Sequence, residues 1–171
     1  MAKPTFKANP IQVQVPATSA NLGPGFDSFG LAFGMYDRYV AQILDEGGLD
    51  IDVTGEGAAE VPRTDKNLLV KAMYKGFDFL GGKPKGLAVR ALNVIPHGRG
   101  LGSSASAIIG GLVLARSLVL TGTDKMSDEA LLNLANEMEG HPDNVAAALY
   151  GGATVAWQDV VNGKAVAHSV H

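Results

Sequence analysis

The sequence predicts an α+β domain with helices packed on a mixed sheet. Three observations carry that expectation. Strand-like alternation dominates up to about Ile95, apolar runs of helical length dominate after it, and a glycine- and serine-rich loop joins the two halves. A strictly alternating α/β chain would interleave its strands and helices instead. At 171 residues, of which 46% are hydrophobic, the chain is long enough to bury one real core.

The elements follow in order. Ile11-Gln12-Val13-Gln14-Val15 alternates as a half-buried strand, which Pro16 is expected to end. ATSANLGPGFD, Ala17 to Asp27, is turn-rich. Tyr39 to Leu44 and Ile51 to Thr54 are further strands with glycines between them for a turn. Asn67 to Leu80 is an amphipathic helix with Leu68, Leu69, Ala72, Met73 and Phe77 on its apolar side, stopped by Gly81-Gly82. Gly86 to Ile95 is the strand that leads into the loop. The segment from about Ser103 to Leu120 is apolar enough to invite a membrane reading, but Gly110-Gly111 and Arg116 favour a helix buried inside the domain. Ser127 to Met138 is a second helix, capped by Ser127, with Asp128 and Glu129 in its first turn where the helix dipole favours anions. A short helix near Asn144 to Leu149, a strand at Ala153 to Trp157 and a hairpin around Asn162-Gly163 complete the chain.

Composition narrows the partners. With 18% charged residues and a net charge of -3, the chain has no electrostatic reason to bind nucleic acid. Cysteine is absent, which rules out disulfides and thiolate metal sites and fits a reducing cytosol. MAKPTFKANP lacks the apolar core of a signal peptide, so a cytoplasmic protein acting on a small molecule is expected.

The loop Pro96-His97-Gly98-Arg99-Gly100-Leu101-Gly102-Ser103-Ser104-Ala105-Ser106 has the chemistry of a phosphate cradle. A helix start offers unpaired N–H groups and partial positive charge, and close approach of a polyphosphate requires small side chains. Gly98, Gly100, Gly102, Ser103, Ser104, Ala105 and Ser106 meet that requirement. The spacing G-x-G-x-G differs from the dinucleotide fingerprint, and no lysine ends the loop as in a Walker A motif. Phosphate charge must then be balanced elsewhere. A divalent cation, ligated by the hydroxyl of Ser103 or Ser104, is the obvious means. A tight helix cap is the competing account of the same glycines.

At about 100° per residue, Glu137 falls opposite the apolar stripe of Leu131, Leu134, Ala135 and Met138, whereas Glu139 falls on its shoulder. A carboxylate leaning toward the core needs a partner, and a cation shared with the nucleotide would supply it. Asn21 and Asp27 bracket one polar turn; His141, Asp143 and Asn144 form another, GHPDN. Fixed amides and carboxylates suit a small zwitterion with an ammonium and a hydroxyl. Asp143 also has the position of a helix cap, Asn21 that of a plain turn residue, and His141 that of a surface histidine.

PHGRGLGSSAS, Pro96 to Ser106, resembles the second motif of the GHMP kinases: Pro, three variable residues, then Gly-Leu-Gly-Ser-Ser-Ala. PATSANLGPGFD, Pro16 to Asp27, and EGHPDNVAAALYGG, Glu139 to Gly152, are similar to the homoserine kinase branch, so the likeness runs from about Val15 to Trp157. The resemblance implies a ribosomal-protein-S5-like N-terminal domain across 1–171 and ATP-dependent phosphorylation of the L-homoserine hydroxyl in threonine biosynthesis. It maps Ser103 and Glu139 onto Mg2+ ligands with a catalytic role. Asn21, Asp27, Asp143 and Asn144 map onto the homoserine pocket with His141 beside it, and Asn67 onto the adenine pocket. The family's C-terminal domain, with its third glycine-rich motif, is not found in this sequence, so the chain is expected to be a fragment with an uncovered apolar face and a possible homodimer partner. A non-catalytic anion-binding module, and a kinase for another small alcohol, are the alternatives.

Overall fold

A computed structural model describes residues 3–170. Six strands and five helices follow in the order β1 (Ile11–Ala20), β2 (Phe29–Leu44), β3 (Gly48–Gly55), α1 (Leu68–Phe79), β4 (Gly86–Asn93), α2 (Ser103–Leu118), α3 (Gly122–Lys125), α4 (Asp128–Glu139), α5 (Asp143–Tyr150), β5 (Ala153–Gln158) and β6 (Ala165–Val170). They form one mixed sheet in the order β3-β4-β2-β5-β6, with β1 paired to β2. Only β3 and β4 run parallel, and α1 makes the crossover that a parallel pair requires. The expected α+β class is therefore observed.

Two strand boundaries differ from expectation. Pro16 does not end β1; the strand continues to Ala20, and the register with β2 shifts between Pro16 and Thr18. A proline that cannot donate to the ladder is tolerated at such an irregularity. The turn-rich stretch consequently begins after Ala20 rather than at Ala17. β2 begins at Phe29, ten residues before the expected strand at Tyr39, and runs for 16 residues. Its length lets it pair with β1 from Gly30 to Ala41, with β4 from Arg38 to Leu44, and with β5 from Phe29 to Leu31. The expected hairpin is present, with β5 and β6 antiparallel and Asn162-Gly163 in the connection.

The apolar helix α2 is the centre of the core and packs against α1, α4, α5, β1 and β2. Ile108, Leu112, Leu114, Ala115 and Leu118 are fully buried, each large aliphatic contributing about 1.5–3 kcal/mol. Gly110 and Gly111 allow the close approach, since a Cβ there would collide with the Tyr39 ring or with the Leu69 carbonyl. No helix among the described residues is long and apolar enough to cross a membrane. Phe33 and Met35, in the stretch of β2 where its ladder with β1 is interrupted, Leu92 on β4 and Trp157 on β5 are exposed.

Candidate active site

The glycine loop is fixed at both ends by the core. At its entry, the backbone N–H groups of Val94 and Ile95 donate to Asp37 Oδ1 at 2.6 and 2.9 Å. Asp37 Oδ2 accepts from the Tyr39 and Ser106 hydroxyls at 2.9 and 3.1 Å, and the residue is only 1% exposed. Burial, followed by the charge of Asp37, pushes the Tyr39 phenol well above its ordinary value and keeps it a donor. At the loop's exit, Thr18 N–H donates to the Leu101 carbonyl at 3.0 Å. Gly98, Gly100 and Gly102 lie at φ 65, 70 and 68°, left-handed backbone that costs an L side chain about 1–2 kcal/mol. At Gly102 a Cβ would also run into the Thr18 side chain.

The helix starts of this fold are not alike. Asn67 Oδ1 caps α1 through Leu69 N–H, and Ser127 Oγ caps α4 through Ala130 N–H, as expected for Ser127. No side chain caps α2, whose N-cap is Gly102. α3 and α5 also lack a side-chain cap; α2 differs in starting from a left-handed glycine that borders the polar cleft, an arrangement that suits an anion.

Glu139, at the end of α4, comes to that same helix start: Ser104 Oγ donates to Glu139 Oε1 at 2.6 Å. Glu137 points elsewhere, paired with Lys75 at 2.8 Å and 61% exposed. Helix phase alone had separated the two acids in this way. Two cavities meet here and share Ser103 and Ser104. One, about 310 Å³, is lined by Val53, Val61, Pro62 and Leu68 with Asn67, Asn93 and His97. The other, about 410 Å³, is polar and lined by Asn21, Gly98, Gly100, Gly102, Glu139 and Asn144. A flat apolar group and a charged chain could each be accommodated, with the serines between them.

Beyond the polar cleft, the Asn21 and Asp27 turn meets the GHPDN segment. Asn21 and Asp27 both adopt left-handed backbone, φ 59 and 53°, and Asn21 Oδ1 accepts from Asp27 N–H at 2.8 Å. Asp143 is fully buried; its Oδ1 accepts from Asn144 N–H at 2.7 Å and faces His141 Nδ1 at 2.8 Å, while Oδ2 has no partner. Pro142, not Asp143, holds the cap position of α5; Asp143 is its first residue, and its Oδ1 accepts the first-turn amide of Asn144. The hydrogen bond to Asp143 raises the His141 pKa, with further help from the charges of Asp143, Glu139 and Asp27. Thr18 Oγ1 holds Asn144 Oδ1 at 2.9 Å.

Not every expected loop residue presents its side chain to a cavity. Ala105 and Ser106 are fully buried, and the Ser106 hydroxyl donates to Asp37 and lies against the Tyr39 hydroxyl, so Ser106 serves the loop from beneath rather than offering a hydroxyl to a ligand. Pro96 and Arg99 line neither cavity. Asn67 does line the apolar one, with its amide oriented by Leu69 N–H on Oδ1 and by the Pro62 carbonyl on Nδ2. Sequence reasoning missed Thr18, Asp37 and Tyr39, which position the loop, and Lys66 and Asn93, which line the apolar cavity.

Among the described residues no group of three or more His, Asp or Glu side chains forms a metal cage. The oxygen pair of Glu139 and Ser104, with Ser103 alongside in the same cleft, nevertheless fits a hard cation that completes its shell with phosphate oxygens and water.

Residues 67–152 match the family model for the GHMP kinases N terminal domain. A protein of Streptomyces coelicolor named homoserine kinase is 55% identical over 159 residues, covering 93% of this chain and 51% of that protein. The crystal structure of homoserine kinase from Cytophaga hutchinsonii shares the fold at a TM-score of 0.76 and 29% identity, over 97% of this chain and 53% of that one. The L. major mevalonate kinase in complex with R-mevalonate, at 20% identity and TM-score 0.69 over 99% of this chain and 55% of that one, shares the fold alone. This chain spans about half the length of the curated relatives it matches. The uncapped α2, the left-handed glycines before it and the family match agree: the chain belongs to the GHMP kinases, in the family of their N-terminal domain.

Proposed function

We propose that this chain is the nucleotide-holding part of a homoserine kinase, which transfers the γ-phosphoryl group of ATP to the side-chain hydroxyl of L-homoserine. The product, O-phospho-L-homoserine, is a step toward threonine, and a cytoplasmic location belongs to the same proposal. The observation that carries it is the Ser104–Glu139 contact at the uncapped start of α2, where the apolar cavity meets the polar cleft. The names of the relatives support the choice of acceptor.

In this reading the adenine occupies the apolar cavity, and the polyphosphate lies along the backbone of Gly98 to Ser104. Ser103, Ser104 and Glu139 would hold Mg2+, which when bound neutralises charge on the phosphate oxygens. The acceptor lies in the polar region of Asn21, Asp27, His141, Asp143 and Asn144, with the buried Asp143 carboxylate orienting His141 and the Asn144 amide from beneath. Phosphoryl transfer breaks the bond from γ-phosphorus to the bridging oxygen, whose electron pair leaves with ADP, and forms one to the hydroxyl oxygen, whose proton passes to solvent. Catalysis then rests on alignment and charge neutralisation. The exposed apolar side chains Phe33, Met35, Leu92 and Trp157 are the surface we assign to a further domain or to a second copy, which light scattering of the full-length protein distinguishes.

The test is ADP release by the full-length protein with ATP, Mg2+ and a panel of small alcohols. Release that depends on both L-homoserine and Mg2+ is expected. Turnover of another alcohol alone would move the acceptor, and an absence of Mg2+-dependent nucleotide binding would end the kinase reading.

A further inference from the structure

We infer that Asp37 is the positioning residue of the nucleotide loop: one buried carboxylate joins the loop's entry, the central strand and the first turn of α2 into a single rigid unit. The inference rests on the kinase reading, because it concerns how the same loop is held.

Asp37 stands on β2, away from the glycine loop in sequence, and touches three segments at once. Oδ1 takes the Val94 and Ile95 N–H groups, immediately before Pro96. Oδ2 takes the Tyr39 hydroxyl from its own strand and the Ser106 hydroxyl from the first turn of α2. The Tyr39 and Ser106 hydroxyl oxygens also lie 3.0 Å apart, so the three side chains form one cluster in which the two hydroxyl protons are shared toward Asp37. The carboxylate takes four hydrogen bonds from the fold and the residue is 1% exposed; it borders the apolar cavity, but its oxygens are engaged by the protein, so it acts through the loop.

The position of β4 explains why such a tie is needed. Its ladder with β2 stops at Arg38 and Leu92. Val94 and Ile95 therefore leave the sheet without strand partners, and their buried or half-buried amides would otherwise lack acceptors. A carboxylate satisfies both at once, and charge-assisted bonds are stronger than neutral ones. The same oxygen pair sets the rotation of α2 through Ser106, two residues beyond Ser104. A displacement of the first turn by about 1 Å is enough to change phosphate contacts by orders of magnitude in rate.

The experiment compares Asp37→Ala, Asp37→Asn and Ser106→Ala with the wild-type full-length protein, reading KM for ATP and for L-homoserine separately, kcat, and melting temperature. Asp37→Ala is expected to raise the nucleotide KM by about tenfold to a hundredfold, with the homoserine KM little changed. Asp37→Asn is expected to recover most of that loss, because its Oδ1 can keep the Val94 and Ile95 bonds while its Nδ2 donates to hydroxyls that turn to accept. Ser106→Ala removes one tie and falls between. If Asp37→Ala does not fold, Ser106→Ala and Asp37→Asn decide. A nucleotide KM equal to wild type in Asp37→Ala, or in Ser106→Ala where Asp37→Ala does not fold, or equal losses for both substrates, overturns the inference. Wild-type protein without Mg2+-dependent nucleotide binding instead defeats the kinase reading and is read separately.

Discussion

The two loops that build the site are held in opposite ways. The glycine loop, Pro96 to Gly102, is tied to the core at both ends, by Asp37 on the Val94 and Ile95 amides and by Thr18 on the Leu101 carbonyl. The turn from Asn21 to Asp27 is held largely by itself, through Asn21 Oδ1 on the Asp27 amide and the Gly25 amide on the Leu22 carbonyl, and it carries Phe26 at 74% exposure. A loop that must present several backbone amides to one polyphosphate gains from being rigid before the ligand arrives. In the proposed function the turn meets only a small acceptor, and its ties are local.

That contrast can be broken most strongly at Gly102. Gly102→Ala places a side chain in left-handed backbone and against Thr18, so a loss of about 2–4 kcal/mol of stability is expected by denaturant titration. It should be accompanied by weaker nucleotide binding. A variant as stable as wild type would show that the loop is not core-anchored. A smaller effect is expected at the turn. Asn21→Ala removes one exposed local bond, costing about 0.5–1.5 kcal/mol, and should raise the KM for the alcohol while leaving that for ATP unchanged. A shift in the ATP constant instead would mean the two loops act as one body.

The smallest effect concerns pH. The hydrogen bond to Asp143 raises the folded-state pKa of His141 above its ordinary value of about 6.5. The pair's contribution to stability is therefore complete below about pH 6.5 and is lost as pH rises through the raised folded value. The stability difference between wild type and His141→Ala should shrink across that window. Because the histidine side chain is 46% exposed, solvent screening keeps the difference small. A difference that stays flat with pH removes the charged pair from the account.

Much of this architecture was legible because local patterns coincided with tertiary demands. The phase of α4 separated Glu137 from Glu139, and small residues marked the start of α2. What was missed lay where tertiary contacts overrode local signals. Pro16 reads as a terminator, yet a register irregularity absorbs it. The stretch from Phe29 to Arg38 contains Gly30, Gly34 and a charged pair, which hid the first ten residues of β2. With that strand recognised, Asp37, Tyr39 and Ala41 share one parity and all three are buried. A carboxylate on the inward face of a strand was the available signal for the tie beneath the loop.

The most direct test of the site is calorimetric titration of ATP into the full-length protein, with and without Mg2+, for wild type, Glu139→Gln and Glu137→Gln. Mg2+-dependent binding is expected in wild type, retained in Glu137→Gln and reduced by about one to two orders of magnitude in Glu139→Gln. Equal Mg2+ dependence in all three proteins would contradict that expectation.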